Sequence, residues 1–303
     1  MKETCTCSFE FKQSIREIDF NGIKIGGDKS FVFLKENENK SKPVFVLELN
    51  IFNPKQSSHI VKDVYGKFFE DKVELIKQAQ SADCDILGLK FNIDSTNQID
   101  EACYLLKSLL PHITKPLMVR GTNISDTDKI LIPRLIKNLD RECIIAFANE
   151  YTYKEITPLV IKDNHILVIR TPIDVNKLKE MNLLTSKMGL DLNKIIIDTD
   201  MGGLGYGLEY GYSIMERVKI AGLNGNEILN MPMISFCSEE SLKTKEASSE
   251  ALNKNYGELK QRTKMIEVVT ASAVISAGAN IVVLNNPESI SILKGLVKWI
   301  YQV

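Results

Sequence analysis

A strand-like run followed by a helix-like run, repeated eight times after Pro43, restricts this chain more than any other feature of its sequence. The strand-like runs are Val44–Phe52, Ile86–Ile93, Pro116–Gly121, Cys143–Asn149, Ile166–Thr171, Lys194–Asp198, Met231–Phe236 and Asn280–Asn285. The helix-like runs are Asp71–Ser81, Gln98–Leu110, Thr127–Asn138, Glu155–Ile161, Val175–Met188, Glu209–Ala221, Glu258–Ala277 and Glu288–Tyr301. Nearly continuous apolar strands that alternate with helices belong to parallel sheets covered by helices. Eight such units match a closed (β/α)8 TIM barrel, a fold of about 250 residues. An open doubly wound sheet shares the periodicity, which does not show closure; the repeat count favours the barrel.

Residues 1–42 follow another pattern. Phe9 to Phe11, Ile15 to Phe20, Ile23 to Ile25 and Phe31 to Phe33 alternate apolar and polar residues, broken by Asn21-Gly22 and by Gly26, Gly27 and Asp28. This predicts an N-terminal extension of one or two β-hairpins ahead of a barrel over 43–303. Helix punctuation fits the barrel units. Asp174 is placed to cap the helix from Val175, Gly189 to end it, and Ser125 and Asp126 to cap the helix after the third strand. The polar stretch Ser238 to Gly257 reads as a loop or a solvated short helix.

Charge and cysteine usage exclude several classes of function. A formal net charge of −1 lacks the basic footprint of a nucleic-acid binder. No apolar run is long enough to span a membrane. The N-terminus lacks the apolar core of a signal peptide, so a cytoplasmic protein is expected. Six cysteines among 303 residues do not form a disulfide framework. Cys84, Cys103, Cys143 and Cys237 read as small core residues. Cys5 and Cys7 have no second pair and no nearby histidine to complete a metal site.

Sites in this barrel class lie where strands end and helices begin. Those positions hold Glu48, Asn50, Asn92, Asp94, Arg120 to Asn123, Asn149, Glu150, Thr171 to Asp174, Asp198 to Gly207, Ser235, Asn285 and Asn286. Amides and acids dominate, and no histidine supplies a nucleophile–base pair. No catalytic residue and no metal ligand set is therefore assigned. The densest feature is the turn after Asp198, where Gly202, Gly203, Gly205 and Gly207 crowd together beside Asp198, Asp200 and Tyr206. Its spacing fits neither a dinucleotide fingerprint nor a Walker loop. Two uses suit such a turn: relief of steric crowding, or close backbone approach by a flat ligand or partner.

Several blocks, in order, resemble one family. They are Thr171 to Asn176 (TPIDVN), Asp198 with Leu204 to Tyr210 (LGYGLEY), and Tyr212 to Arg217 (YSIMER). Lys243 to Ala247 (KTKEA), Thr270 with Ala271, Ala277 to Asn280 (AGAN) and Asp83 to Asp85 (DCD) extend the likeness from about residue 43 to the end. The chain resembles the small subunit of the corrinoid iron–sulfur protein, the delta subunit of the acetyl-CoA decarbonylase/synthase complex. It departs from that pattern at Thr199 to Met201, at Ile266-Glu267 and at Asn285 to Pro287.

The resemblance implies a (β/α)8 barrel paired with a large subunit that carries cobalamin and a [4Fe–4S] cluster. The corrinoid would be shared at the interface and would not be bound by the isolated chain. The complex would pass a methyl group from a methyl-pterin methyltransferase to acetyl-CoA synthase, with this chain as a non-catalytic partner. Cofactor contacts implied at matching positions are Thr171, Asp174, Asn176, Asp200, Met201, Gly202, Gly203, Leu204, Gly205, Tyr206, Gly207 and Asn285. Two alternatives stay open. One is a barrel methyltransferase that binds a reduced pterin directly through Asn92, Asn149 and Asp198; the other is a diverged scaffold that keeps the shape without the ligand.

Overall fold

The eight repeats close on themselves. A computed structural model describes residues 10–34, 41–53, 59–201 and 207–301 of the 303-residue chain. Its large sheet is parallel, formed by β3 (Val44–Phe52), β4 (Ile86–Phe91), β5 (Leu117–Arg120), β6 (Ile144–Ala148), β7 (Ile166–Arg170), β8 (Ile195–Asp198), β9 (Ile234–Ser235) and β10 (Ile281–Leu284). Neighbours pair in sequence order from β3 to β8, and β10 lies between β3 and β9. Closure comes from a parallel bridge between Ile197 and Met233, with Ile197 N–H donating to the Pro232 carbonyl at 2.9 Å. The molecule is a (β/α)8 barrel, as the repeat count predicts.

Helices α2 (Lys72–Ser81), α3 (Ile99–Leu109), α4 (Ser125–Ile136), α5 (Tyr153–Lys162), α6 (Val175–Lys187), α7 (Leu208–Leu223), α10 (Leu259–Ala277) and α11 (Pro287–Tyr301) follow the strands. The Asp174 carboxylate accepts from Asn176 and Lys177 N–H, so the expected cap of α6 forms, and Gly189 takes φ +101° beyond its end. The cap expected from Ser125 and Asp126 does not form. Both lie inside α4; Asp128 turns back instead and accepts from Thr122 and Asn123 N–H, which ties down the loop before the helix. A short helix over His59–Tyr65 (α1) was not legible as an amphipathic run.

Side chains alternate across each strand as the pleat demands. Phe45, Leu47, Leu87, Leu89, Ile145, Leu167, Ile169, Ile195 and Ile197 pack outward against helices. Val44, Val46, Ile86, Met118, Ile144, Ile166, Val168, Ile196, Ile281 and Val283 fill the barrel. Gly88 belongs to the inner set, and a Cβ there would stand only 3.1 Å from Met118 and Val46, so the lower barrel has no room for more.

Only one hairpin forms among the described N-terminal residues: β1 (Ile18–Phe20) pairs antiparallel with β2 (Ile23–Ile25) across Asn21-Gly22. Phe31 and Phe33 are not in a strand; they stack on each other. Ile18, Phe20 and Ile25 join the barrel-filling cluster beside the first residues of the strands, so the hairpin stops the bottom of the barrel. Arg16 fastens it by donating from its backbone and its Nε to Asn230. Below the hairpin a buried triad adds a second clasp. Lys219 of α7 pairs with Asp28, whose other oxygen accepts from Asn280 at 2.6 Å.

The four cysteines read as core residues are free and buried, and burial pushes the Cys143 and Cys237 thiols up to about 12. Among the described residues, no helix is long and apolar enough to cross a membrane. A cavity of about 670 Å³ lies between the hairpin and α11. It is at the strand starts, the end of such barrels where stability is built and not chemistry.

Breaking the buried Lys219–Asp28 pair should test the clasp. Lys219→Met leaves a carboxylate stranded and is expected to cost about 3–5 kcal/mol in urea unfolding, while Asp28→Asn with Lys219→Met should recover part of the loss. An unchanged midpoint for the single variant would show that the hairpin is held without this pair.

Candidate functional site

The inward positions that carry hydrocarbon at the bottom of the barrel carry charge at the top. β3 runs Val44, Val46, Glu48, Asn50; β5 runs Met118, Arg120; β7 runs Ile166, Val168, Arg170; β8 runs Ile196, Asp198. Register sets Asn50 beside Lys90, Lys90 beside Arg120, and Arg170 beside Asp198. A band of ionised side chains thus crosses the mouth, most of it buried.

Each charge in the band is answered by another. Arg120 reaches both Glu48 oxygens from Nη1, at 3.2 and 3.1 Å. Arg170 Nε donates to Asp198 Oδ2 at 2.6 Å. Both guanidiniums then converge on Glu239, Arg120 through Nη2 and Arg170 from 3.3 and 3.4 Å. Lys90 stands 4.0 Å from the same carboxylate, and Asn123 donates to it at 3.2 Å. Beneath lie two rings. Arg170 sits 3.8 Å from the Phe147 centroid and Arg120 sits 4.2 Å from that of Phe236. In a desolvated setting such a cation–ring contact contributes about 2 kcal/mol. Phe147 reaches the interior because the pairing of β6 with β7 shifts between Ile145 and Ala148.

Glu239 comes from α8 (Cys237–Ser241), which with α9 (Lys245–Ser248) occupies the polar stretch after β9. Short helices form there and most of residues 243–257 are exposed, as expected, but the start of the stretch turns inward. Ser238 and Ser241 are buried, Ser238 bonds Glu267, and Asn285 N–H donates to the Ser238 hydroxyl. Burial alone would raise the Glu239 carboxyl; the fields of Arg120, Arg170 and Lys90 outweigh it and hold the group well below the usual carboxylate range. Burial works against Arg170 too, yet Asp198 and Glu239 keep it firmly protonated. Lys90 moves the other way, lowered by burial and by the neighbouring Arg120.

The expected contact residues divide into three groups. Gly202, Gly203, Leu204, Gly205 and Tyr206 lie outside the described residues. Thr171 and Asp174 on the β7–α6 loop and Asn176 in the first turn of α6 neighbour the β8–α7 connection, which carries Asp200, Met201 and Gly207, through bonds from Thr171 N–H to the Asp198 carbonyl and from Ile173 N–H to that of Thr199. Within this group Asp174 and Asn176 are exposed, Thr171 is buried, and Met201 is buried where it accepts from the Ser235 hydroxyl. Asn285 lies apart on the far side of β9, its amide donating to the Glu48 carbonyl at 2.7 Å. Of the pterin candidates, Asn149 bonds Ser125 and the Tyr151 N–H, and Asp198 is engaged by Arg170. Sequence reasoning missed Lys90, Arg170 and Glu239. Arg170 shares the parity of Ile166 and Val168 and was readable on that ground; Glu239 had no comparable signal.

Two features mark the rim around this band. Asn53, Asn123, Ile173 and Asp200, all shortly after barrel strands, have φ of +53°, +74°, +38° and +51°. Left-handed backbone at a β-branched residue such as Ile173 costs about 1–2 kcal/mol, and such positions gather at functional sites. Ile124, Tyr151, Tyr210 and Tyr256, on loops or first turns at the same end, are 58–69% exposed.

Comparison with known proteins gives one family. The model of the CO dehydrogenase/acetyl-CoA synthase delta subunit matches residues 19–298. The delta subunit of the acetyl-CoA decarbonylase/synthase complex of Methanocaldococcus jannaschii is 25% identical over 284 residues, spanning 91% of this chain and 69% of that protein. Its Methanosarcina mazei counterpart is 24% identical over 299 residues, spanning 92% and 66%. The chain therefore covers about two thirds of the length of these relatives. Among solved structures, Xanthomonas albilineans dihydropteroate synthase in complex with 7,8-dihydropteroate superposes with a TM-score of 0.62 at 12% identity, covering 95% of this chain and 99% of that one. That likeness is one of fold.

The depressed carboxyl of Glu239 gives a signed pH dependence. It stabilises the folded chain above the ordinary carboxylate range, about pH 4.3, and the contribution fades as pH falls toward its lower folded-state value. Glu239→Gln should cost about 3–5 kcal/mol at pH 7, and the gap to the native chain should narrow from about pH 5 downward. Urea unfolding at stepped pH measures it. A gap independent of pH would mean that Glu239 is not ionised in the fold.

Proposed function

The chain belongs to the CO dehydrogenase/acetyl-CoA synthase delta-subunit family, and from that membership we propose that it is a non-catalytic barrel subunit that covers a cobalamin carried by a larger [4Fe–4S]-bearing chain. Its setting is a cytoplasmic methyl-transfer complex that runs from a methyl-pterin methyltransferase to acetyl-CoA synthase. The relatives are named as subunits of a decarbonylase/synthase complex, in keeping with a chain that works in an assembly.

One observation carries the reading. The charges at the strand ends are spent on one another, while the rim around them presents exposed apolar and amide side chains. Among the described residues the buried ionised groups of the mouth are paired with one another, and a ring of exposed tyrosine and isoleucine suits a partner surface. When bound, a corrinoid supplies a cobalt centre that takes up and releases the methyl group. This chain's share is to hold and shield the amide-bearing edge of the macrocycle. The exposed Asn176 and Asp174 and the part-exposed Asp200 fit that edge, and the glycines at 202, 203, 205 and 207 suit close backbone approach. Thr171, Met201 and Asn285 would act from beneath, by setting the loops. A pterin pocket within this chain is less well supported, because Asn149 and Asp198 already have partners.

Association tests the reading. The chain should co-purify 1:1 with a corrinoid-bearing large subunit and show a corrinoid absorption spectrum. Tyr151→Glu with Ile124→Glu should weaken association at least about tenfold, the cost of losing an interface anchor, with thermal stability within about 0.5 kcal/mol of the parent. Calorimetry with methylated tetrahydropterin decides the rival: tight binding by the isolated chain would favour an enzyme. Association without any corrinoid would favour a scaffold.

A further inference from the structure

The mouth gathers three cations around one carboxylate. Lys90, Arg120 and Arg170 converge on Glu239, and the two guanidiniums are fixed from behind by Phe147 and Phe236. Glu48 and Asp198 answer one charge each. Withdraw Glu239 and the band is left with one uncompensated buried cation, with Asp200 standing further out. Two polar atoms here are already short of partners: Arg120 Nε, on a side chain 1% exposed, and the buried Asn50 Oδ1 beside Lys90.

Glu239 differs from the other members of the band in where it is mounted. They stand on barrel strands; it stands in the first turn of a five-residue helix. That helix is anchored through Ser238 to Glu267 and Asn285, so the backbone stays while the next side chain can turn. An outward partner is close by. Lys243 lies one helical turn on, is largely exposed, pairs with Glu240 at 2.8 Å and acts on Glu239 through its charge, so it can take a second carboxylate from the solvent side.

We propose that the barrel mouth is an oxyanion-binding site, for one carboxylate or phosphate group of an incoming ligand or partner, and that Glu239 is its resident stand-in. The incoming group takes the place between Arg120 and Arg170, and Glu239 swings out toward Lys243. No bond is made or broken. The site is assembled from this chain alone and stands or falls separately from corrinoid docking.

The test uses the isolated chain and simple anions. Thermal unfolding of the native chain, Glu239→Ala and Glu239→Gln is followed at pH 7 in acetate, inorganic phosphate or chloride at equal ionic strength. Glu239→Ala should be stabilised by acetate or phosphate over chloride, with apparent affinity about tenfold or more above that of the native chain, whose site is filled. Adding Lys90→Met should reduce that affinity about tenfold. A response to phosphate alone identifies a phosphate ligand, and a response to acetate a carboxylate. Should Glu239→Ala not fold in chloride, Glu239→Gln keeps the shape and must still respond more than the native chain. Responses equal to the native chain in both variants, or unaffected by Lys90→Met, overturn the proposal.

Discussion

Charge taken out of water has to be balanced where it lies, and that requirement organises the upper half of this barrel. Two unit charges 4 Å apart interact by about 4 kcal/mol at an effective dielectric near 20, while removing one of a buried pair leaves a penalty of similar size. Arg120 and Arg170 therefore dictate their surroundings. Each takes a carboxylate from a barrel strand, Glu48 and Asp198, and the two share a third that no strand supplies. The third arrives on α8, which explains why a stretch of Lys, Glu and Ser folds inward and buries two serines. The rings of Phe147 and Phe236 complete the enclosure from below.

The lower half follows from a simpler rule. Inward positions there are hydrocarbon, and the barrel would open to water at the strand starts without a stopper. The β1–β2 hairpin provides Ile18, Phe20 and Ile25 for that purpose, and burying side chains of this kind contributes about 1.5–3 kcal/mol each. The stopper is held by specific bonds as well as by grease, at Arg16–Asn230 and Lys219–Asp28–Asn280. Apolar packing alone would not fix the angle at which a short hairpin enters.

What could be read beforehand was what local pattern encodes. Strand starts such as Val44 and Ile166, and helices such as Val175–Lys187 with its Asp174 cap, are set by period and by capping chemistry within a few residues. Partnerships across the barrel are not encoded that way. Glu239 and Arg120 are 119 residues apart, and a polar tripeptide looks the same whether it faces solvent or a guanidinium. The failed cap at Ser125 has the same origin. Asp128, two to three places on, won the competition for the loop's N–H groups by folding back on Thr122 and Asn123. Arg170 is the intermediate case: it shares the inward parity of Ile166 and Val168, but its partner Glu239 comes from outside the strand pattern.

A barrel that performs acid–base chemistry keeps at least one ionisable group poised near the working pH, held off from full pairing. In this mouth burial lowers Lys90 and raises Asp198, while the opposite charges around Glu239 and Arg170 hold both ionised. Glu239 is pushed away from neutrality, Arg170 is kept protonated, and Asp198 is bonded to it. Paired groups of this kind are poor proton carriers, and the two guanidiniums, backed by Phe147 and Phe236, make a firm wall. Backbone strain, by contrast, collects one layer higher, at Asn53, Asn123, Ile173 and Asp200, where loops leave the strand ends. Rigidity in the mouth and shaping at the rim are what a cover needs. Under the proposed role, a surface that seats another chain's cofactor gains from having its own charges already paired.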